Sequence, residues 1–153
     1  MEFGKALLIA LMKVEHLLWG LWIPGYHLTN LVLHFLVTAL VYRWTADFGL
    51  HRTMRFLAAL LFALYTPNWL SVVWIAGRTE TLAAVLVLSV LILMGKFLAT
   101  RRPVHYRVAL GAFILALGSK ESAVMVPFLL ALAATFLYVP QAWNKDEIKL
   151  RVM

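Results

Sequence analysis

Long runs of uncharged, mostly apolar residues constrain the fold of this chain more than any other feature of its sequence. A bilayer core about 30 Å thick is crossed by about 20 apolar residues in a helix. Hydrophobic residues make up 63% of the 153 positions, against about 45–50% in a soluble domain. The sequence therefore predicts an all-α, polytopic integral membrane protein.

Charged residues and prolines divide the chain into segments. We expect an extracytoplasmic interfacial helix in residues 1–23, because its apolar side chains are mixed with charges and it ends in Trp19 and Trp22, residues favoured at membrane interfaces. A transmembrane helical bundle is expected over 24–140, and a tail over 141–153. The apolar runs inside the bundle are about 26–44, 56–77, 81–100, 108–119 and 122–139.

The run at 108–119 is too short to cross a bilayer. Its 12 residues extend about 18 Å as a helix, short of a core of about 30 Å. Either residues 103–107 lengthen the helix, or Lys120 and Glu121 lie below the membrane surface and face protein or water.

The distribution of basic residues predicts the orientation. The net charge is +7, and a basic excess in a membrane protein is explained more simply by cytoplasmic loops than by nucleic acid. We therefore expect no nucleic-acid partner. The C-terminus is expected in the cytoplasm, with the membrane either a bacterial inner membrane or that of the endoplasmic reticulum. The basic residues assigned to the cytoplasmic side are Arg43, Arg52, Arg55, Lys96, Arg101, Arg102, Arg107, Lys145, Lys149 and Arg151.

Polar residues form a stripe on the first predicted span. His27, Asn30, His34 and Thr38 recur every three or four residues, so they share one helical face. They line a substrate cavity in one interpretation, and make hydrogen bonds between helices in the other. Two histidines without a nearby carboxylate do not indicate a metal site.

Arg78 and Glu80 interrupt the apolar stretch 71–90, and Pro67 before them predicts a helix kink. Charges at membrane depth are costly and often functional. Arg78 either binds an anion such as a phosphate, or anchors a turn at the headgroups with Glu80 as its local partner.

Lys120 and Glu121 also allow two interpretations. In one they form the tip of a helical hairpin exposed to water, and in the other Lys120 neutralises a lipid phosphate. The chain has no cysteine, no glycine-rich phosphate loop and no paired-carboxylate or Ser/His/Asp motif. Sequence motifs alone therefore indicate a polytopic membrane protein and do not indicate a reaction.

Three stretches together resemble a known family. They are Y-H-L-T-N-L-V-L-H (26–34), P-N-W-L-S-V-V-W-I-A-G-R-T-E-T-L-A-A (67–84) and L-G-S-K-E-S-A-V-M-V-P (117–127). In this order they resemble multi-spanning glycosyltransferases of the C superfamily. The closest of these are family 39-like membrane proteins with tetratricopeptide repeats, which include the transmembrane O-mannosyltransferases.

The resemblance implies an enzyme that moves a sugar from a polyprenyl-phosphate donor to an extracytoplasmic acceptor, commonly a protein hydroxyl. Membrane lipid, the lipid-linked sugar and a protein acceptor are then the partners. The cofactor is left open, with a divalent metal allowed in the complete enzyme. By the same resemblance Arg78 and Lys120 contact the donor phosphate, and a substrate cavity includes Glu80, Glu121, Asn30 and His34.

The chain departs from this family upstream of the matching region. The family's catalytic acid lies in an outer loop after a preceding span, and only about 25 residues precede the first match here. We therefore assign no catalytic residue and expect an internal piece of such an enzyme, inactive alone. The alternative is a non-catalytic membrane subunit or transporter fragment whose charges serve packing and topology.

Overall fold

The computed structural model describes residues 6–65 and 78–135, and in these two ranges the chain is helical, without a β-strand. The all-α prediction is thereby confirmed. Two short 3₁₀ turns, Thr45–Phe48 and Glu121–Met125, accompany the α-helices. These helices are α1 (Ala6–Trp19), α2 (Ile23–Trp44), α3 (Arg52–Leu64), α4 (Arg78–Thr100), α5 (Pro103–Leu117) and α6 (Val126–Ala133).

The junction between α1 and α2 differs from the expectation. Pro24 and Gly25 were expected to precede the span at about 26–44, whereas α2 begins at Ile23 and includes both. Proline is tolerated in the first helical turn, because an N–H there has no partner within the helix. Gly20, with a φ of +56°, makes the turn between the helices, a backbone conformation in which glycine carries no steric penalty.

Helix α4 begins earlier than the apolar run 81–100 suggested. Arg78 is its first residue and Glu80 lies in its first turn, where a carboxylate interacts favourably with the helix dipole. Both residues therefore belong to a helix rather than to the turn before it. The predicted kink at Pro67 lies outside the described residues.

Helix α5 also extends further than its uncharged run. It begins at Pro103 and has 15 residues. Residues 103–107 therefore lengthen the helix, as the first of the two alternatives stated. Its length is then about 22 Å, still short of a hydrocarbon core of about 30 Å.

The helices pack as hairpins around α4. Helix α4 packs against α2 and α5, α3 packs against α2, and α1 contacts α2. The start of α4 contacts both the start of α2 and the residues after α5. The Arg78 side chain donates to the Tyr26 carbonyl at 3.3 Å, and the Ser119 hydroxyl donates to the Thr79 carbonyl at 3.4 Å. The small side chains of Ala83, Ala109 and Ala116 are buried, which permits close helix approach.

Much of the outer surface is apolar. Phe35 and Leu61 are each more than 70% exposed, and an apolar surface of this kind marks a contact with lipid or with other protein. The segments Ile23–Phe48 and Arg78–Thr100 are long and apolar enough to cross a membrane, and two shorter apolar segments, Pro103–Leu117 and Glu121–Ala133, are not. Length and composition alone indicate membrane association only weakly, and the predicted number of spans stays a prediction.

Gly25 provides a test of how α1 packs on α2. A Cβ at this position would lie 2.5 Å from the Trp19 ring, whereas a Cβ at Gly111 in α5 would meet nothing within 4 Å. We expect Gly25→Ala to lower the free energy of unfolding by about 1–3 kcal/mol through overpacking. Gly111→Ala is the control, and it should raise that free energy by up to about 1 kcal/mol through helix propensity. Unfolding in mixed detergent, followed by circular dichroism, measures both, and equal effects would contradict the packing of Trp19 on Gly25.

Candidate functional site

A buried ion pair joins three helices at one end of the bundle. Arg78, at the start of α4, donates from a guanidinium nitrogen to the carboxylate of Glu15 in α1. Its other terminal nitrogen donates to the carbonyl oxygen of Tyr26 in α2 at 3.3 Å. The guanidinium carbon also lies 5.9 Å from the centroid of the Tyr26 ring, within the range of a cation–π contact. Arg78 therefore links α4 to both N-terminal helices.

Both members of this pair are removed from solvent. The side chain of Arg78 is 0% exposed and that of Glu15 is 2% exposed. A buried pair returns little net stability, but removal of one partner leaves an uncompensated buried charge, at a cost of about 3–5 kcal/mol. Within the described part of the chain, the second carboxylate oxygen of Glu15 and Nε of Arg78 have no further hydrogen-bond partner.

A second ion pair lies on the same first turn of α4 and is partly exposed. Lys120, in the connection after α5, donates to the carboxylate of Glu80. The side chains are 35% and 55% exposed respectively. The neighbouring Ser119 hydroxyl donates to the Thr79 carbonyl at 3.4 Å, which holds the connection against the start of α4. An ammonium group has three N–H donors, so the contact with Glu80 leaves Lys120 able to bind a further acceptor.

This pairing corrects the sequence interpretation. A local pair between Arg78 and Glu80 was one of the two alternatives for the apolar stretch, and it is wrong: Arg78 pairs with Glu15, and Glu80 pairs with Lys120. The reason is geometric, because residues two apart on a helix point away from each other. Each charge of the first turn of α4 therefore finds its partner on a different element.

Glu121 lies beside this second pair in the chain. It is exposed and begins the 3₁₀ turn that follows Lys120. Its predicted role in a substrate cavity stays a prediction.

Asn30 and His34 lie further along α2 from Tyr26, by one and two helical turns respectively. Asn30 is buried. The His34 ring shares a hydrogen bond of 3.3 Å with the Ala63 carbonyl and stacks on Phe62, with 5.9 Å between ring centroids. His34 therefore connects α2 to α3, as the packing alternative for the polar stripe expects. The assignment of both residues to a substrate cavity stays a prediction.

Sequence reasoning did not identify Glu15 as part of the site. Glu15 was one of the charges of the predicted interfacial helix and was given no partner, although a charged side chain in an apolar interior is expected to be paired. The charge of Arg78 within an apolar stretch indicated that an acidic partner was needed. The sequence did not show which acid it was, since Glu15 and Arg78 are 63 positions apart. No group of three or more metal-ligating side chains gathers within residues 6–65 and 78–135.

Comparison with protein-family models, with curated proteins and with solved structures finds no match for this chain.

The two ion pairs predict different mutational costs. We expect Glu15→Gln to lower the free energy of unfolding by about 3–5 kcal/mol, because Arg78 is left with an uncompensated buried charge. Glu80→Gln removes the same charge from a partly exposed pair, so we expect a loss of about 1 kcal/mol or less. Thermal or detergent-induced unfolding by circular dichroism compares them.

A double change completes this test. Glu15→Gln combined with Arg78→Met removes both buried charges, so we expect part of the lost stability to return. Additive losses in the double variant would show that the two side chains do not interact energetically.

Proposed function

We propose that this chain provides the donor-binding part of a membrane glycosyltransferase. The enzyme would move a sugar from a polyprenyl-phosphate donor to an extracytoplasmic acceptor, a protein hydroxyl. The observation that carries the proposal is the clustering of two basic side chains, Arg78 and Lys120, at one end of an otherwise apolar bundle. The proposal assigns donor binding and leaves the general base unassigned.

The chemistry of the donor matches an exposed ammonium group beside an apolar bundle. When the sugar leaves, negative charge grows on the lipid phosphate, and a positioned cation stabilises that charge in the transition state. Lys120 is partly exposed and keeps N–H donors available beyond its contact with Glu80. The polyprenyl chain would lie along the apolar surface of the helices. Lys120 is therefore the residue that contacts the phosphate most directly in this proposal.

Arg78 has a more demanding role in the same proposal. Its guanidinium is buried and bound to Glu15, so a phosphate can contact it only by displacing that carboxylate. A phosphate at Lys120 needs only the exposed Glu80 to yield. Arg78 is therefore a second phosphate contact in this proposal, and the binding experiment below tests it.

The membrane arrangement is part of the proposal. The chain would be polytopic, with the ion-pair end outside the cytoplasm and the C-terminus inside, in a bacterial inner membrane or the endoplasmic reticulum. Two apolar helices of sufficient length support it, and arginines are concentrated near the opposite ends of the same helices. These arginines are Arg43, Arg52, Arg55, Arg101, Arg102 and Arg107.

A second candidate function also has an observation in its favour. Burial of Arg78 with Glu15, together with the hydrogen bond between His34 and the Ala63 carbonyl, uses polar side chains to join helices. Such contacts are expected of a non-catalytic membrane subunit whose charges serve packing. The two candidates differ in whether the chain binds a polyprenyl phosphate.

Donor binding by the purified chain in nanodiscs separates them. We expect Lys120→Gln to weaken binding of a polyprenyl phosphate about tenfold or more, as for the loss of a hydrogen bond to a charged group. Lys96→Gln near the other end of α4 is the control with the same charge change, and it should bind as the wild type does. Microscale thermophoresis with a labelled chain gives the affinities.

Arg78→Lys, which keeps the positive charge, examines the second contact in the same assay. Weakened binding with unchanged helix content would place Arg78 in the donor site, and unchanged binding would leave it to packing. If the wild-type chain does not bind, or if Lys120→Gln binds equally well, the non-catalytic subunit becomes the better account.

Orientation is tested independently by cysteine accessibility, since the chain has no cysteine of its own. We expect a cysteine at His51, before α3, to react with an impermeant maleimide only after the cells are opened. A cysteine at Ser122, after Lys120, should react in intact cells, where an outer membrane, if present, has first been permeabilised. The reverse pattern would contradict the assigned orientation, and equal labelling of both sites in intact cells would contradict a spanning chain.

A further inference from the structure

An open groove separates one face of α1 from the start of α2. Five α1 residues at the helical spacings of three and four form one wall, and an α2 tyrosine forms the other. The groove has a volume of about 570 Å³. Its lining residues are Ile9, Met12, Lys13, His16, Leu17 and Tyr26.

Tyr26 is held in place on both sides. Its hydroxyl donates to the Gly20 carbonyl at 2.8 Å and lies 3.5 Å from Nδ1 of His16. Its ring faces the guanidinium of Arg78, at 5.9 Å. Tyr26 therefore contacts both the groove, through its hydroxyl, and the buried ion pair, through its carbonyl and ring.

The charge of the groove is positive without compensation from its own helix. Lys13 and His16 line it and are exposed, whereas Glu15, which lies between them in the chain, is buried and bound to Arg78. Glu15 is two positions from Lys13, so its side chain points away from this face and into the bundle, where it binds Arg78 and does not neutralise Lys13. Basic groups above an apolar floor match a ligand with an anionic head and a hydrocarbon body.

We propose that this groove binds an anionic phospholipid of the surrounding membrane. The headgroup phosphate lies at Lys13 and His16, and the acyl chain lies along Ile9, Met12 and Leu17. Membrane lipid is the occupant because the groove continues into a strongly exposed apolar surface, with Leu17 86% and Leu21 91% exposed, a surface that water solvates poorly. The groove is separate from the pair of Lys120 with Glu80, so this proposal holds whether or not the chain binds a polyprenyl-phosphate sugar.

A single fluorophore beside the groove provides the measurement. A bimane label is attached to Leu21→Cys, the only cysteine of that variant, in bilayers of equal parts phosphatidylglycerol and phosphatidylcholine. Bromine, a short-range quencher, is carried by only one of the two lipids in each sample. We expect phosphatidylglycerol to quench in preference to phosphatidylcholine, by about fivefold for one basic residue near a membrane surface.

Two variants with matched charge changes locate that preference. In Lys13→Gln with His16→Gln, the two lipids should quench almost equally. In Lys96→Gln with His105→Gln, made at the other end of the bundle, the preference for phosphatidylglycerol should persist. Circular dichroism establishes that each variant keeps the helix content of the parent chain.

Three outcomes would overturn the proposal. Equal quenching in the parent protein would mean that the groove does not select an anionic lipid. A preference that survives in the Lys13 and His16 variant would place the selection elsewhere. Release of the quenching by a small fraction of added polyprenyl phosphate, but not by added phosphatidylglycerol, would assign the groove to the sugar donor instead.

Discussion

The fully buried arginine, Arg78, requires a counter-charge that is also excluded from solvent, and the rest of this structure depends on that requirement. Glu15 meets it from α1, and the Tyr26 carbonyl and ring meet it from α2. The N-terminal helix is therefore attached to the bundle by a charge rather than by packing alone. The same contact fixes the wall of the groove under α1 and the position of the first turn of α4, where the second ion pair begins.

The two ion pairs on this turn differ in burial, and therefore in how easily each can be opened. The buried pair of Arg78 with Glu15 is costly to open, because either charge alone in the interior is strongly unfavourable. The pair of Lys120 with Glu80 is partly exposed, and pairs of that kind contribute little to stability. A ligand anion can therefore exchange with Glu80 at low cost, while the framework beneath it stays intact. This difference is the physical basis for our proposal that Lys120 binds the phosphate of a lipid-linked donor.

The helices could be predicted from the sequence, since uncharged apolar runs leave few alternatives to a helical bundle. Their ends were less accurate: the apolar runs began at about residues 26 and 81, whereas the helices begin at Ile23 and Arg78. Arg78 and Lys120 were selected because charges in apolar stretches are costly, and both lie at the same end of the bundle. Their partners were not predictable, because the contact between Glu15 and Arg78 depends on tertiary packing across 63 positions. Local spacing carries no information about such a pair.

That separation along the chain also has a consequence for biosynthesis. A ribosome adds about 5–20 residues each second, so Arg78 follows Glu15 into the nascent chain after about 3–13 s. Throughout this interval α1 carries a carboxylate whose partner does not yet exist. The ion pair that attaches α1 to α4 therefore cannot form until the start of α4 has been synthesised. The contact between α1 and α4 is thus made only after α2 and α3 have been synthesised.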